Sequence, residues 1–94
     1  MKERGSEGGA MRWETLAEPI KVRADFQGGE ATPLVFKRGG RAIRVVRTHT
    51  RWVDREGRRA LHYFSVTAET GDVYQLCFDA GDLTWRAECV MYEG

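Results

Sequence analysis

The 94-residue chain has few cysteines and no long apolar run. It has two cysteines, Cys77 and Cys89, whereas small secreted domains held together by disulfides usually have about four or more. No apolar stretch approaches the roughly 20 residues that a membrane-spanning helix needs. The polar, glycine-rich residues 1–10 also lack the apolar region of a secretory signal. We therefore expect a cytoplasmic protein without membrane association.

Motifs for catalysis, cofactors or metals are also missing from the sequence. None of the Gly-Gly pairs belongs to a GxGxxG or GK(S/T) phosphate loop. Ser65 lies inside a strand-like segment and not on a nucleophile elbow. The two histidines, His49 and His62, and the two cysteines lack metal-ligand spacing. We expect a protein that is not an enzyme and that uses no cofactor and no metal.

Positive charge is concentrated in one part of the chain. Residues 37–59 hold nine of the fifteen Lys and Arg residues and only two acids, Asp54 and Glu56, which leaves a net +7. The rest of the chain holds six cations against twelve acids, a net −6. The +1 of the whole chain hides this asymmetry. A local positive field of this kind attracts polyanions even on a nearly neutral protein.

From residue 19 onward the apolar residues recur with a period of two, which is typical of half-buried strands. Turn sequences rich in Gly and Asp separate six such segments, at residues 20–26, 34–36, 42–53, 61–69, 73–78 and 83–91. The connections are too short for crossover helices, so the strands must be antiparallel. We predict an all-β fold, a single small antiparallel meander of about six strands curled into a barrel or roll, over residues 19–94. Residues 1–18 are predicted to form a flexible or partly helical lead-in, with one or two helical turns at residues 11–18.

Turn lengths predict which residues face the core. A two-residue loop at residues 80–81 pairs Phe78 with Leu83, and opposed residues share a face. The core face then consists of Tyr74, Leu76, Phe78, Leu83, Trp85, Ala87 and Cys89. Cys77 faces away from Cys89, which argues against a disulfide. A three-residue loop at residues 70–72 adds Phe64, Val66 and Ala68 to this face.

The long predicted strand at residues 42–53 carries the most prominent polar pattern. Its apolar face switches near Val45 and Val46, which predicts a β-bulge there. Beyond this point Arg47, His49 and Arg51 alternate with Val46, Thr48, Thr50 and Trp52, so the three basic side chains should line one face. Such a row suits the phosphates of a nucleic acid, with Trp52, His62 and Tyr63 nearby for stacking. The alternative is a solvated sheet face, partly paired with Asp54, Glu56 and Glu69.

Several short segments occur in an order that resembles a known bacterial domain. They are residues 19–22 (PIKV), 33–37 (PLVFK), 40–46 (GRAIRVV), Trp52, 63–67 (YFSVT), Gly71, 73–76 (VYQL), Asp79, Trp85 and 91–92 (MY). The chain from residue 19 to 94 is similar to a small bacterial domain family without an assigned activity. That family resembles the C-terminal segment of the Y-family-like polymerase subunit of the bacterial inducible-mutagenesis system. The resemblance implies interactions within a DNA damage tolerance complex, and it carries no catalytic residues.

Charge and resemblance together predict a non-catalytic module that contacts nucleic acid in a DNA repair context. The predicted contact residues are Arg44, Arg47, His49, Arg51, Arg55, Arg58 and Arg59. The alternative partner is a protein, in an interaction or homodimerisation module that works through an edge strand or an exposed aromatic patch. A third hypothesis, a small-molecule-binding barrel, needs a sizeable apolar pocket in a chain that barely fills its own core.

Overall fold

The computed structural model describes residues 12–93 and shows a closed barrel of six antiparallel strands. The strands are β1 (Arg12–Gln27), β2 (Glu30–Arg38), β3 (Arg41–Glu56), β4 (Arg59–Ala68), β5 (Val73–Asp79) and β6 (Thr84–Tyr92). Each strand pairs with the next along the chain, and β6 pairs back onto β1. The predicted all-β class and antiparallel meander are confirmed. Among residues 12–93 there is no helix that is long and apolar enough to cross a membrane.

The first strand begins earlier than predicted. The helical turns expected at residues 11–18 are wrong for the part that the structure describes, because β1 already starts at Arg12. There it pairs with the end of β6, opposite Tyr92. The register shifts between Thr15 and Glu18, where Ala17 has a φ of 47°. This shift interrupts the period-two alternation, so the sequence pattern does not predict a strand here. Pairing with β1 also satisfies the backbone groups of β6, which would otherwise be left at an edge. Residues 1–11 of the predicted lead-in lie outside the described residues.

Two glycine pairs close the first two hairpins. Gly28 and Gly29 join β1 to β2 at φ values of 60° and 80°, and Gly39 and Gly40 join β2 to β3 at 58° and 79°. Positive φ at both central residues is the geometry of the two-residue hairpin turn whose twist matches that of the flanking strands. Glycine adopts it without the steric penalty of a Cβ atom. These turns therefore set where β2 lies between its neighbours.

Aromatic side chains occupy the barrel interior. Phe36 of β2 is completely buried and its ring meets that of Tyr74 edge to face at 4.9 Å between centroids. Phe78 and Trp85 pack at the same centroid distance. The predicted core residues of β4 are confirmed, since Phe64, Val66 and Ala68 are at most 2% exposed.

The register of the last hairpin differs from the prediction. Phe78 pairs with Trp85 instead of Leu83, because the chain turns through a longer loop after Asp79. The buried Asp79 carboxylate stabilises this loop by accepting a hydrogen bond of 2.8 Å from the backbone N–H of Gly81. Leu83, predicted to lie in the core, is 74% exposed at the end of the turn.

A bulge reverses the predicted orientation of Cys89. The register shifts between Gln75 and Leu76, so Cys89 lies opposite Gln75 and Val90 takes the core position opposite Tyr74. Cys89 therefore shares the outer face with Cys77, and the prediction that the two point apart is wrong. Both thiols are buried, and they do not form a disulfide with each other.

Stability is expected to fall at alkaline pH. Burial raises the pKa of the Cys77 and Cys89 thiols and of the Tyr63 and Tyr74 hydroxyls. The unfolded chain then loses these protons first as the pH rises, so the folded state's advantage is complete below pH ~8.5 and is lost above it. Urea unfolding at pH 7, 9 and 10.5 should show a falling free energy of unfolding. Cys77→Ala should flatten this dependence, and a stability that rises over this range would contradict the assignment.

Candidate nucleic-acid interface

The predicted basic row on β3 is interrupted by two bulges. The first lies between Val45 and Arg47, as predicted, and the second between Thr48 and Thr50. Each bulge adds one residue to β3 and shifts the alternation of its side chains by one position. As a result Arg47 pairs with Thr67 on the outer face, whereas Arg51 pairs with the core residue Phe64 on the inner face. The prediction that Arg47, His49 and Arg51 share one face is wrong.

The second bulge also divides Thr48, Thr50 and Trp52, which were predicted to share a face, between the two faces of the sheet. Thr48 lies opposite the buried Val66, while Thr50 and Trp52 lie opposite Ser65 and Tyr63 on the outside. Trp52 stacks on Tyr63 with ring centroids 5.2 Å apart and planes inclined by 11°. His62, by contrast, lies on the inner side, 6.2 Å from the ring of Phe78. The three aromatic residues predicted to lie near the basic row are therefore divided between the two faces.

Arg51 has a structural role at the inner face of the sheet. Its guanidinium lies 5.7 Å from the centre of the Phe64 ring. Its Nη1 donates a hydrogen bond of 2.9 Å to the carbonyl oxygen of Ala31 and lies 3.6 Å from the Glu30 carboxylate. Arg51 thus links β3 to the start of β2, beyond the point where these strands pair.

Two further arginines of the basic window are held by acids. Arg59 pairs with the buried carboxylate of Asp79. Arg38 donates from Nε to the Glu18 carboxylate at 2.8 Å. Burial alone would lower the pKa of Arg38, but its hydrogen bonds to Glu18 and Tyr92 raise that pKa instead. These two guanidinium groups are engaged by acids within the fold, and Arg59 remains 55% exposed.

The remaining predicted residues are exposed. His49 places Nε2 against the hydroxyl of Thr67 on the outer face, beside Arg47. Arg55 and Arg58 lie near the turn between β3 and β4. Arg44 lies opposite Val35, and its backbone N–H donates to the Glu69 carboxylate at 3.0 Å.

The structure brings together a group of cations that lies partly outside the predicted set. Lys21 of β1 lies directly opposite Lys37 of β2, and in the next row Arg23 pairs with Val35, which in turn pairs with Arg44 of β3. Their neighbours Val22 and Phe36 face the core, so these cations face outward. We call this surface the cationic face; it consists of Lys21, Arg23, Lys37, Arg44 and Arg47.

Lys21 and Arg23 lie outside the basic window at residues 37–59, so the density of charge along the sequence does not single them out. The alternation of Ile20, Val22 and Ala24 already placed both residues on the outward side of the first strand. What the window could not show is that strand pairing places them beside Lys37 and Arg44. That neighbourhood depends on the register of two hairpins.

The cationic face is grooved, and Glu69 contacts it through the backbone N–H of Arg44 at 3.0 Å and not through a side-chain ion pair. A cleft of about 350 Å³ is lined by Lys21, Arg23 and Lys37, with Val35 and Ala42 among its apolar lining. An adjoining cleft of about 380 Å³ shares Lys21 and Lys37. None of the ion pairs within residues 12–93 involves a side chain of this face.

Such an arrangement favours an anionic ligand. Like charges directly opposite each other across a strand pair are destabilising, and an anion would relieve the repulsion between Lys21 and Lys37. Within residues 12–93 no group of three or more His, Cys, Asp or Glu side chains is placed to hold a metal ion.

Comparison with known proteins leaves this surface to be interpreted from its geometry. No protein-family model, no curated protein and no solved structure matches the chain.

Proposed function

We propose that this protein is a non-catalytic module that binds nucleic acid through the cationic face. The observation that carries the proposal is the convergence of five exposed Lys and Arg side chains from three strands on one grooved surface, defined above. Neutralisation of phosphates by such side chains supplies most of non-specific nucleic-acid affinity. Contacts to phosphates orient a protein on nucleic acid without reading bases, so binding at this face is expected to depend little on sequence.

The proposed contact set differs from the one that the sequence predicts. Arg44 and Arg47 are retained, and Lys21, Arg23 and Lys37 are added. His49 lies beside Arg47 and belongs to the rim of the surface, while Arg55 and Arg58 lie near the turn between β3 and β4, outside the cationic face. Arg51 and Arg59 are left out because each is engaged within the fold. The DNA repair setting implied by the resemblance, and a cytoplasmic location, are part of this proposal.

The test is a salt-dependent titration. Fluorescence anisotropy of a labelled 20-nucleotide single strand and of its duplex should show binding at ~50 mM salt. Five phosphate contacts imply a slope of log K against log salt of about −3.5 to −4.5, so affinity should fall about 100- to 500-fold by ~200 mM. Absence of binding at the lower salt concentration, or binding that salt does not weaken, would contradict the proposal.

A protein partner is the second candidate, and the exposed Trp13 favours it. Trp13 is 60% exposed and lies opposite Met91 on the outer side of the β1–β6 pair. Exposed apolar residues that adjoin each other are a common feature of interaction sites. Gel filtration with light scattering tests self-association directly, and Trp13→Ser should abolish a dimer formed through this surface.

A further inference from the structure

The barrel has an opening where β2 and β3 diverge. These strands pair only between residues 35–38 and 41–44. Beyond Val35 and Arg44, β2 continues to pair with β1 as far as Glu30, and β3 continues to pair with β4 as far as Glu56. One edge of each strand therefore faces the opening, and Arg51 reaches across it to Ala31.

The opening leads to an aromatic cleft. A volume of about 260 Å³ is lined by Ala31, Arg51, Val53, His62 and Phe64, together with Gly29, Glu30 and Trp52. A smaller adjoining volume of about 130 Å³ shares Gly29, Ala31 and His62 and reaches Phe26 and Phe78. Each volume is below the ~300 Å³ at the lower end of sites for drug-sized ligands. The cleft therefore has room for a small ligand such as a ring system.

Two apolar side chains of the cleft are unusually open to solvent. Phe26 is 62% exposed although its ring meets Phe78 edge to face at 5.8 Å. Val53 is 50% exposed. A flat aromatic ligand beside Phe26 would cover its ring and stack on a surface that water now contacts. The guanidinium of Arg51 above Phe64 adds a cationic group at the edge of the same cleft.

The cationic face runs up to this opening. Arg44 is the last residue of β3 that pairs with β2, and Arg47 follows on the outer side of the same strand. A nucleic-acid backbone held by these two arginines passes the place where β2 and β3 separate. Arg51, which lines the cleft, follows Arg47 by four residues on the same strand.

We infer that the cleft accepts an unpaired nucleobase, so that the protein prefers single-stranded nucleic acid to duplex. The inference rests on the proposed function, because phosphate contacts at the cationic face bring the base to the opening. Bases in a duplex are already paired and stacked, whereas those of a single strand are free to stack on protein aromatic groups. Phe26 and the half-buried His62 supply the aromatic surfaces, and Arg51 lies at their edge.

A protein strand is a poorer occupant of the opening. Pro33, in the part of β2 that does not pair with β3, is buried and has no N–H to donate to an added strand. The facing edge of β3 is broken by its two bulges, which disrupt regular pairing. The edges of the opening thus disfavour the continuous ladder that strand addition requires.

The inference is tested by comparing Phe26→Ala with the wild-type protein on a 20-nucleotide single strand, the matched duplex and the matched abasic single strand. The wild-type protein should bind the single strand more tightly than the abasic strand or the duplex. Phe26→Ala should lose about five- to 100-fold in affinity for the base-containing single strand, because stacking on one base contributes that much. Its affinity for the abasic strand and the duplex should stay unchanged.

Leu83→Ala is the matched control, since Leu83 is 74% exposed but does not line the cleft. Val53→Trp is a second variant that fills the cleft instead of emptying it, and it should remove the single-strand preference in the same way. This variant keeps the test decisive if Phe26→Ala does not fold.

The two proposals fail in different ways. If wild-type protein binds none of the three oligonucleotides, the proposed function is wrong. If it binds all three equally, and the cleft variants change nothing, the cationic face is supported and the nucleobase site is overturned. A change in self-association of the cleft variants, without a change in affinity for the single strand, would assign the opening to a protein strand and also overturn the inference.

Discussion

Replacing Phe36 with alanine is expected to lower the free energy of unfolding by about 3 to 5 kcal/mol. The Phe36 side chain is completely buried, and its ring packs edge to face on Tyr74. Strand pairing places it between Val22 and Ile43, so its removal leaves a cavity where three strands meet. A small domain of this kind has roughly 5 to 15 kcal/mol of stability in total. The variant should therefore unfold at a much lower urea concentration.

Two controls separate the loss of packing from the loss of a phenyl group as such. Phe36→Leu keeps most of the buried volume and should cost less than half as much as Phe36→Ala. Phe26→Ala removes the same side chain from a site that is 62% exposed and should cost about 1 kcal/mol or less. Urea unfolding followed by circular dichroism measures all three. A loss below ~1.5 kcal/mol for Phe36→Ala would show that the described packing around β2 is incorrect.

The double variant Lys21→Glu with Lys37→Glu is expected to bind nucleic acid at least about 100-fold more weakly than the wild-type protein at ~100 mM salt. The two lysines lie directly opposite each other on β1 and β2 at the centre of the cationic face. The reversal removes two phosphate contacts and adds two negative charges in their place. The slope of log K against log salt should decrease in magnitude by about two or more. Folding should be maintained, because both side chains are exposed.

Arg55→Glu with Arg58→Glu is the matched control for the total charge. It makes the same change in net charge near the turn between β3 and β4, outside the cationic face. We expect a loss of affinity below about 10-fold, from weaker long-range attraction. Equal losses for the two double variants would mean that the whole basic window attracts nucleic acid and that the cationic face is not the contact surface.

Several elements of the fold follow from local sequence pattern. Period-two alternation, the double-glycine turns and the short connections predict an antiparallel meander. The buried residues of β4 follow from the same alternation, because a strand without a bulge keeps one face toward the core. The start of β1 was missed because a bulge near Ala17 hides the alternation in that segment. Likewise the long turn after Asp79 depends on contacts with Gly81 and Arg59 that no spacing rule contains.

The candidate site was only partly predictable for the same reason. The bulge at His49 turns Arg51 inward, and the bulge near Gln75 turns Cys89 outward. A bulge adds one residue to a strand and has no distinctive sequence. The alternation therefore predicts the face of each side chain only for the residues before the bulge. The excess of positive charge was visible in the sequence, but the residues that share a surface were not.

The sequence by itself determined that the chain forms an all-β meander, that its interior is aromatic and that its charge is unevenly distributed. These properties depend on residues close together in the chain, whose side chains alternate between the core and the outside. Only the tertiary structure decided that Lys21 and Arg23 meet Lys37 and Arg44, and that an aromatic cleft opens beside them. Both features depend on the register between strands and on where β2 and β3 separate, which the chain acquires only when the barrel closes.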